Sequence, residues 1–286
     1  MTRMKKLLMI LALAAAPLLG HAAGSGFPLD AAPNRSTDLA ALQNGAKLFV
    51  NYCLNCHSAS MMRYNRLRDI GLTEEQIKQS LLFTADKVGE PMKIAMNPKD
   101  AKEWFGKTPP DLSLITRAKS SIAPPFKGED YVYTFLRTYY RDAAIPHGWN
   151  NLVLTNAAMP HVFWERQGPR ELTKVEIHHA TNDKGEHKWE RVTTTYDVRG
   201  QKTVAKEEIP PIAGQYQALT VKWDAKDPAA AAQYDKDMAD LVGFLKYMSD
   251  PSANQRQRLG VWVLLFLGIF AVVAWWLNSV FWRDIK

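Results

Sequence analysis

The chain has 286 residues, with 36 basic against 29 acidic side chains and a formal net charge of +7. Lys and Arg alternate with Asp and Glu through most of its length, and no basic helix or nucleic-acid motif is present, so nucleic acid is excluded as a partner. The length suits one moderately large soluble domain, or one domain carrying an insertion.

At the N-terminus Arg3, Lys5 and Lys6 precede an uncharged apolar run from Leu7 to Leu19, followed by the small residues Gly20, Ala22 and Ala23. This three-part pattern predicts a secretory signal peptide over residues 1–22, cut after Ala22 or one residue later. Removing Arg3, Lys5 and Lys6 with it leaves 33 basic residues against 29 acidic ones, a mature charge of +4.

A helix is predicted next, with Leu39, Leu42, Leu48, Phe49 and Tyr52 on its apolar face. It runs into Cys53-Leu54-Asn55-Cys56-His57, which holds the chain's two cysteines in the CxxCH pattern of covalent c-type haem attachment. Two thiols three residues apart can each add to one haem vinyl group, while the adjacent imidazole turns under the iron, making His57 the proximal axial ligand. A structural zinc site would need four ligands, and no further cysteine exists to supply them. A redox dithiol would call for a thioredoxin-like βαβ context instead of the helix predicted here. A plain disulfide would leave the following histidine unexplained.

The sixth iron ligand must come from elsewhere, because Met61 and Met62 lie too near His57 to reach the opposite haem face. Candidates are Met92, Met96, Met159 and, less favourably, Met238 or Met248, with His161 as a rival that would give a bis-histidine haem. Met159 precedes Pro160 and follows a loop containing Asn150, Asn151 and Asn156, where non-helical chain can deliver a sulfur.

Residues 174–223 alternate apolar and polar positions, at Val175, Ile177, Trp189, Val192, Tyr196, Leu219, Val221 and Trp223. With turn signals at Asn182 to Gly185 and at Arg199-Gly200, they predict strands and a β-hairpin insertion over about 165–225. His178, His179 and His187 fall there without metal-ligand spacing. Asp227-Pro228 then opens a second amphipathic helix, with Met238, Leu241, Val242, Leu245 and Met248 on one face, stopping near Asp250-Pro251. A helix ending in CxxCH, a late loop methionine and a C-terminal helix form the ground plan of small single-haem cytochromes c.

Leu259 to Trp282 is uncharged over 24 residues. At about 1.5 Å per residue it reaches about 36 Å, enough to cross a hydrocarbon core of about 30 Å. Arg256, Arg258 and Arg283 bracket this predicted transmembrane helix, and Trp275, Trp276 and Trp282 cluster toward one end. The export signal orients it, placing residues 23–255 outside the cytoplasm and the tail 283–286 inside. The predicted location is a bacterial inner membrane, single-pass, with the haem domain on the periplasmic side.

Beyond CxxCH stand the serine after that motif with Tyr64 and Arg66-Leu67-Arg68, then Pro109-Pro110-Asp111-Leu112-Ser113, Gly128-Glu129-Asp130-Tyr131, Ala158-Met159-Pro160, and Arg258-Leu259-Gly260 leading into the anchor. In these segments and their order the chain resembles cytochrome c1. The resemblance implies a mainly α, class I cytochrome c-like haem domain with one covalently bound haem c and His57 and Met159 as axial ligands. It further implies that Pro109 and Pro110 pack at the haem and that Tyr131 lies near a propionate. Where the family usually carries a propionate-contacting arginine, this chain has Lys119, with Arg117 two residues earlier and a longer connection from Ser120 to Lys127. Lysine can neutralise a propionate as a point charge but not as a bidentate fork.

The function so implied is electron transfer within the quinol:cytochrome c oxidoreductase complex, from the Rieske iron–sulfur protein to a cytochrome c, beside a cytochrome b subunit and anchored in the lipid bilayer. His/Met ligation leaves no open coordination position, so no independent catalytic centre is expected. The alternatives are a standalone membrane-tethered cytochrome shuttle, which would not call for the PPDLS and GEDY segments, a haem peroxidase, disfavoured by closed coordination, and a tethered thiol oxidoreductase, which would purify colourless.

Overall fold

Asp38 starts the first helix by accepting a hydrogen bond from Ala41 N at 3.1 Å, the usual way of satisfying an orphan N–H at a helix start. In the computed structural model, which describes residues 27–122, 125–181, 187–210 and 218–283, α1 covers Leu39–Leu48 and continues as a π-helical turn over Phe49–Cys53. The predicted signal peptide, the turn predicted at Asn182 to Gly185 and the last three residues of the predicted tail lie outside the described residues. The buried side of α1 is Ala41, Leu42, Gly45, Ala46 and Leu48, whereas Leu39, expected on it, is 51% exposed. Small residues replace it because another helix crosses there closely.

After the haem motif come β1 (Ala59–Arg63), a 3-10 turn over Tyr64–Ile70, and α2 (Glu74–Ser80), opened by a capping box between Thr73 and Gln76. β2 (Pro91–Met92) pairs antiparallel with β1, setting Met92 opposite Ala59. α3 (Pro98–Phe105) and the single-turn α4 (Ile115–Ala118) lead to a short hairpin, β3 (Ser121–Ile122) and β4 (Pro125–Phe126). This hairpin is the long Ser120 to Lys127 connection. Then follow α5 (Gly128–Arg137) and a second small hairpin, β5 (Tyr139–Arg141) with β6 (Trp149–Asn151).

The segment expected to hold one hairpin is wider than that. After α6 (Trp164–Gln167), strands β7 (Arg170–Thr181), β8 (His187–Tyr196), β9 (Lys202–Ile209) and β10 (Ala218–Ala225) form a four-stranded antiparallel sheet in the order β10–β7–β8–β9. Its base is tied to the rest of the fold through Tyr140 of β5, which packs with Leu172 and Tyr196. Arg170 reaches back to the carbonyls of Arg137 and Tyr139 at 2.6 and 2.7 Å. His178 meets Glu190 at 3.7 Å, and His179 lies against the Trp189 ring.

Finally α7 (Pro228–Ser249), capped by the Asp227 carboxylate on Ala229 N and Ala230 N, packs across α1 and against α5. One core cluster unites these helices and includes Phe49, Leu54, Leu67, Ile77, Met238, Phe244 and Met248. α8 (Ala253–Phe281) begins after a short link and has no buried residue. Its length and apolar composition suffice to cross a membrane.

Candidate functional site

The haem motif sits where the first helix unwinds. Leu54 N donates to Phe49 O at 3.0 Å, a π-type bond. Cys56 N and His57 N then both donate to Cys53 O, at 3.1 and 2.8 Å, closing a tight turn that carries Cys56 and His57 away from the helix axis. Cys53 is buried and Cys56 half-buried.

His57 Nδ1 lies 2.7 Å from Pro110 O. A carbonyl can only accept, so Nδ1 carries the proton and Nε2 holds its lone pair free, and Nε2 makes no hydrogen bond among the described residues. Burial holds the imidazole below its ordinary pKa, against smaller opposing effects of the Pro110 carbonyl and of Asp111. A neutral imidazole held by its other nitrogen is the form that ligates a metal, so this donor set fits haem iron.

The PPDLS segment is stitched to the CxxCH turn by side-chain hydrogen bonds between segments some 50 residues apart. Asp111 accepts from Ser60 N at 2.9 Å, from Ser60 Oγ at 2.6 Å and from Ser113 N at 2.8 Å, and these bonds hold its carboxyl below the usual range despite burial. Leu112 N donates to Ser58 O, Met61 N to Ser113 Oγ and Ile94 N to Ser58 Oγ. The result fixes Pro110 under His57. The available signal was Asp-x-Ser, the spacing of an Asx turn. A cavity of about 390 Å³ opens beside this lattice, lined by Cys56, Pro109, Asp111 and Met96 among others.

Met159 arrives on a loop shaped by the asparagines noted in the sequence. Asn150 Oδ1 accepts from Asn151 N and Asn156 N, both at 2.8 Å. Asn151 Oδ1 accepts from Val153 N and Leu154 N, while its amide donates to Phe135 O. Asn156 takes the left-handed conformation, with φ 57°, which asparagine tolerates better than most residues. Met159 is half-buried against the main core, and Tyr139 Oη donates to its carbonyl at 3.0 Å. Tyr139 is a further positioning residue with no sequence signal.

Of the other candidate ligands, Met96 lines the cavity beside Cys56. Met92, Met238 and Met248 are buried in the core cluster. His161 is 3% exposed and boxed by the rings of Tyr139, Trp149 and Tyr234. The Gln167 amide, its nitrogen turned to the imidazole, donates to His161 Nε2 at 3.2 Å. Burial and then the nearby Arg170 push the His161 pKa down to about 3, so it stays neutral.

Of the two cations, Lys119 Nζ stands 4.9 Å from the centre of the Tyr131 ring, which also stacks with Phe126 and Phe135. Arg117 instead lines a separate cavity with Ser249 and Asp250. The structure thus brings Lys119 to Tyr131 and leaves Arg117 outside that cluster. As for thiol chemistry, burial and then Cys56 push the Cys53 thiol up to about 12. A disulfide oxidoreductase needs the opposite shift.

Comparison with known proteins agrees with this arrangement. The model of the Cytochrome C1 family matches residues 30–285. A protein named cytochrome c1 from Allochromatium vinosum is 35% identical over 99% of this chain and 100% of its own. One named ammonia monooxygenase gamma subunit, from Nitrosomonas europaea, is 38% identical over 99% of both chains, and a cytochrome c1 from Rhodospirillum rubrum is 24% identical over 87% of this chain. With the family model covering nearly the whole sequence and a relative of that name 35% identical over the full length, the chain belongs to the cytochrome c1 family.

Proposed function

We propose that this chain is the haem-bearing electron-transfer subunit of a bacterial quinol:cytochrome c reductase complex, exported by its signal peptide and anchored by α8 with the haem domain on the periplasmic side. One haem c would be held through thioethers from Cys53 and Cys56, with His57 and Met159 as axial ligands. The haem supplies one-electron chemistry at its edge, and the protein supplies ligation, burial and charge. The observation that carries the reading is the hydrogen bond between the CxxCH histidine, His57, and the Pro110 carbonyl, in a chain matched by the family over residues 30–285. Electrons would enter from the Rieske iron–sulfur protein and leave to a cytochrome c, while a cytochrome b partner handles the quinol.

Met159 is supported by elimination as well as by its loop. Met92, Met238 and Met248 fill the core, and Met96 shares its cavity with Pro109, whose neighbour Pro110 stands at His57 Nδ1, the nitrogen facing away from the metal. At the propionates, Lys119 is the cation adjoining Tyr131. A cation there favours the reduced haem, which carries one positive charge fewer. Lys119→Gln should therefore lower the midpoint potential by some tens of millivolts, less than the ~59 mV of a tenfold one-electron change, whereas Arg117→Gln should leave it within a few millivolts. A redox titration that reversed this order would remove Lys119 from the role.

The whole reading is tested by purifying the chain through a tag from membranes solubilised in mild detergent. A c-type reduced-minus-oxidised spectrum, together with b-type haem and an iron–sulfur subunit, is the expected result. A c-type haem without partners would favour the tethered shuttle, and a colourless protein would end the proposal.

A further inference from the structure

A second cavity, of about 290 Å³, opens between α4, α5 and the junction of α7 with α8. Nothing in the haem reading uses it. Most charges on its walls are already compensated. Lys246 Nζ lies 2.8 Å from Glu129 Oε1, and the Asp250 carboxylate is held by both terminal nitrogens of Arg256, at 2.6 and 3.1 Å. Arg117 is the exception. Its guanidinium makes no hydrogen bond or ion pair among the described residues, and its field is felt only as a minor pull on the Asp250 carboxyl.

The same cavity is lined by Ser249, which is 4% exposed and whose Oγ has no hydrogen-bond partner. Buried hydroxyls are nearly always paired, so an orphan on a residue that lines a cavity marks a place for a polar ligand. One guanidinium open to solvent and one unpaired buried hydroxyl suit an anion with several acceptor oxygens, and phosphate oxygens match a guanidinium fork best.

Position narrows the choice. The lining reaches Gln257 on α8, and the apolar run begins at Leu259, only about 3 Å further along the helix axis. From there the side chains project freely, Leu259 being 61% and Trp262 71% exposed. If α8 crosses a bilayer, an anion in the cavity lies at headgroup depth with acyl chains free to follow the helix. We infer that this cavity binds the phosphodiester of a phospholipid, with Arg117 and Ser249 as its donors, clamping the haem domain to the membrane surface. The inference rests on the reading of α8 as a membrane anchor.

Three measurements test it on the haem-loaded full chain. Carbonate-washed membranes should retain the chain, and its release would overturn the anchor and the lipid site together. Protein gel-filtered in lipid-free detergent should carry about one phospholipid per chain in the extract analysed by mass spectrometry, since a charge-assisted site resists washing. Arg117→Gln should cut that retention by about tenfold, and Ser249→Ala should also lower it, while Lys206→Gln, on the distant β9, should not. The haem absorbance of each variant reports that it has folded. A chain that stays in the membrane yet holds no lipid, or equal retention in all variants, would overturn the lipid site alone. Displacement of the lipid by inorganic phosphate as complete as that in Arg117→Gln would overturn it in favour of a free-anion site.

Discussion

Replacing Met159 with leucine should leave the haem covalently attached but lower its midpoint potential by a few tenths of a volt, within the ~0.8 V that axial ligands span. Leucine keeps the volume and apolar character of the side chain, so the half-buried packing against the core changes little. What is lost is the thioether, the donor that favours a high potential. The vacated position should also admit carbon monoxide in the reduced state, which a haem with both axial positions filled excludes. Tyr139 and the Asn150–Asn151 bonds hold the loop by its backbone, so the substitution should not release it.

Measurement of potential and carbon monoxide uptake on the same sample separates ligation from packing. A stability effect alone would move neither. If Met159→Leu left both unchanged, the distal ligand would lie elsewhere. Met96→Leu would then be the next variant, because Met96 lines the cavity beside Cys56.

The parts of the site legible in the sequence were those whose chemistry needs a fixed local spacing. CxxCH lies within five residues, and the asparagine-rich approach to Met159 announces its turns through residue type. The amphipathic second helix was legible too, since Met238, Leu241, Val242, Leu245 and Met248 recur with its period and all are buried in α7. What was not legible depends on contacts between distant segments. Asp111 bonds to Ser60, 51 residues away, and Tyr139 to the Met159 carbonyl, 20 residues away. No periodicity encodes either.

The sheet was underread for a different reason. Strand β9, Lys202–Ile209, is exposed at every position but the last, so neither face is apolar and the alternation that marks a half-buried strand is missing. The exposure of Leu39 has a similar origin. Beside the expected Leu42 and Leu48, the seam of α1 holds Ala41, Gly45 and Ala46, which a hydrophobic pattern underweights, and Leu39 outside the seam looks the better core residue.

That seam predicts a large change in stability. Gly45→Ala should lower the thermal midpoint of the holo-protein by roughly 6–12 °C, which corresponds to about 3 kcal/mol for a domain of this size. A Cβ at Gly45 would collide with the backbone carbonyl of Asp240 and come within 2.7 Å of Phe244 Cβ. Helix propensity argues the other way, since alanine is favoured over glycine by about 1 kcal/mol in a helix interior. Sterics win because the obstacle is main chain of α7, which moves only if the two helices part, and the Phe49 ring packs against that of Phe244, tilted by 46°, across the same crossing. Gly89→Ala is the control: an added Cβ meets nothing within 4 Å there, so its midpoint should shift by no more than about 0.5 kcal/mol allows. Equal midpoints for the two variants would show that α1 and α7 do not pack at this distance, and would remove the basis for placing the haem turn at the end of that seam.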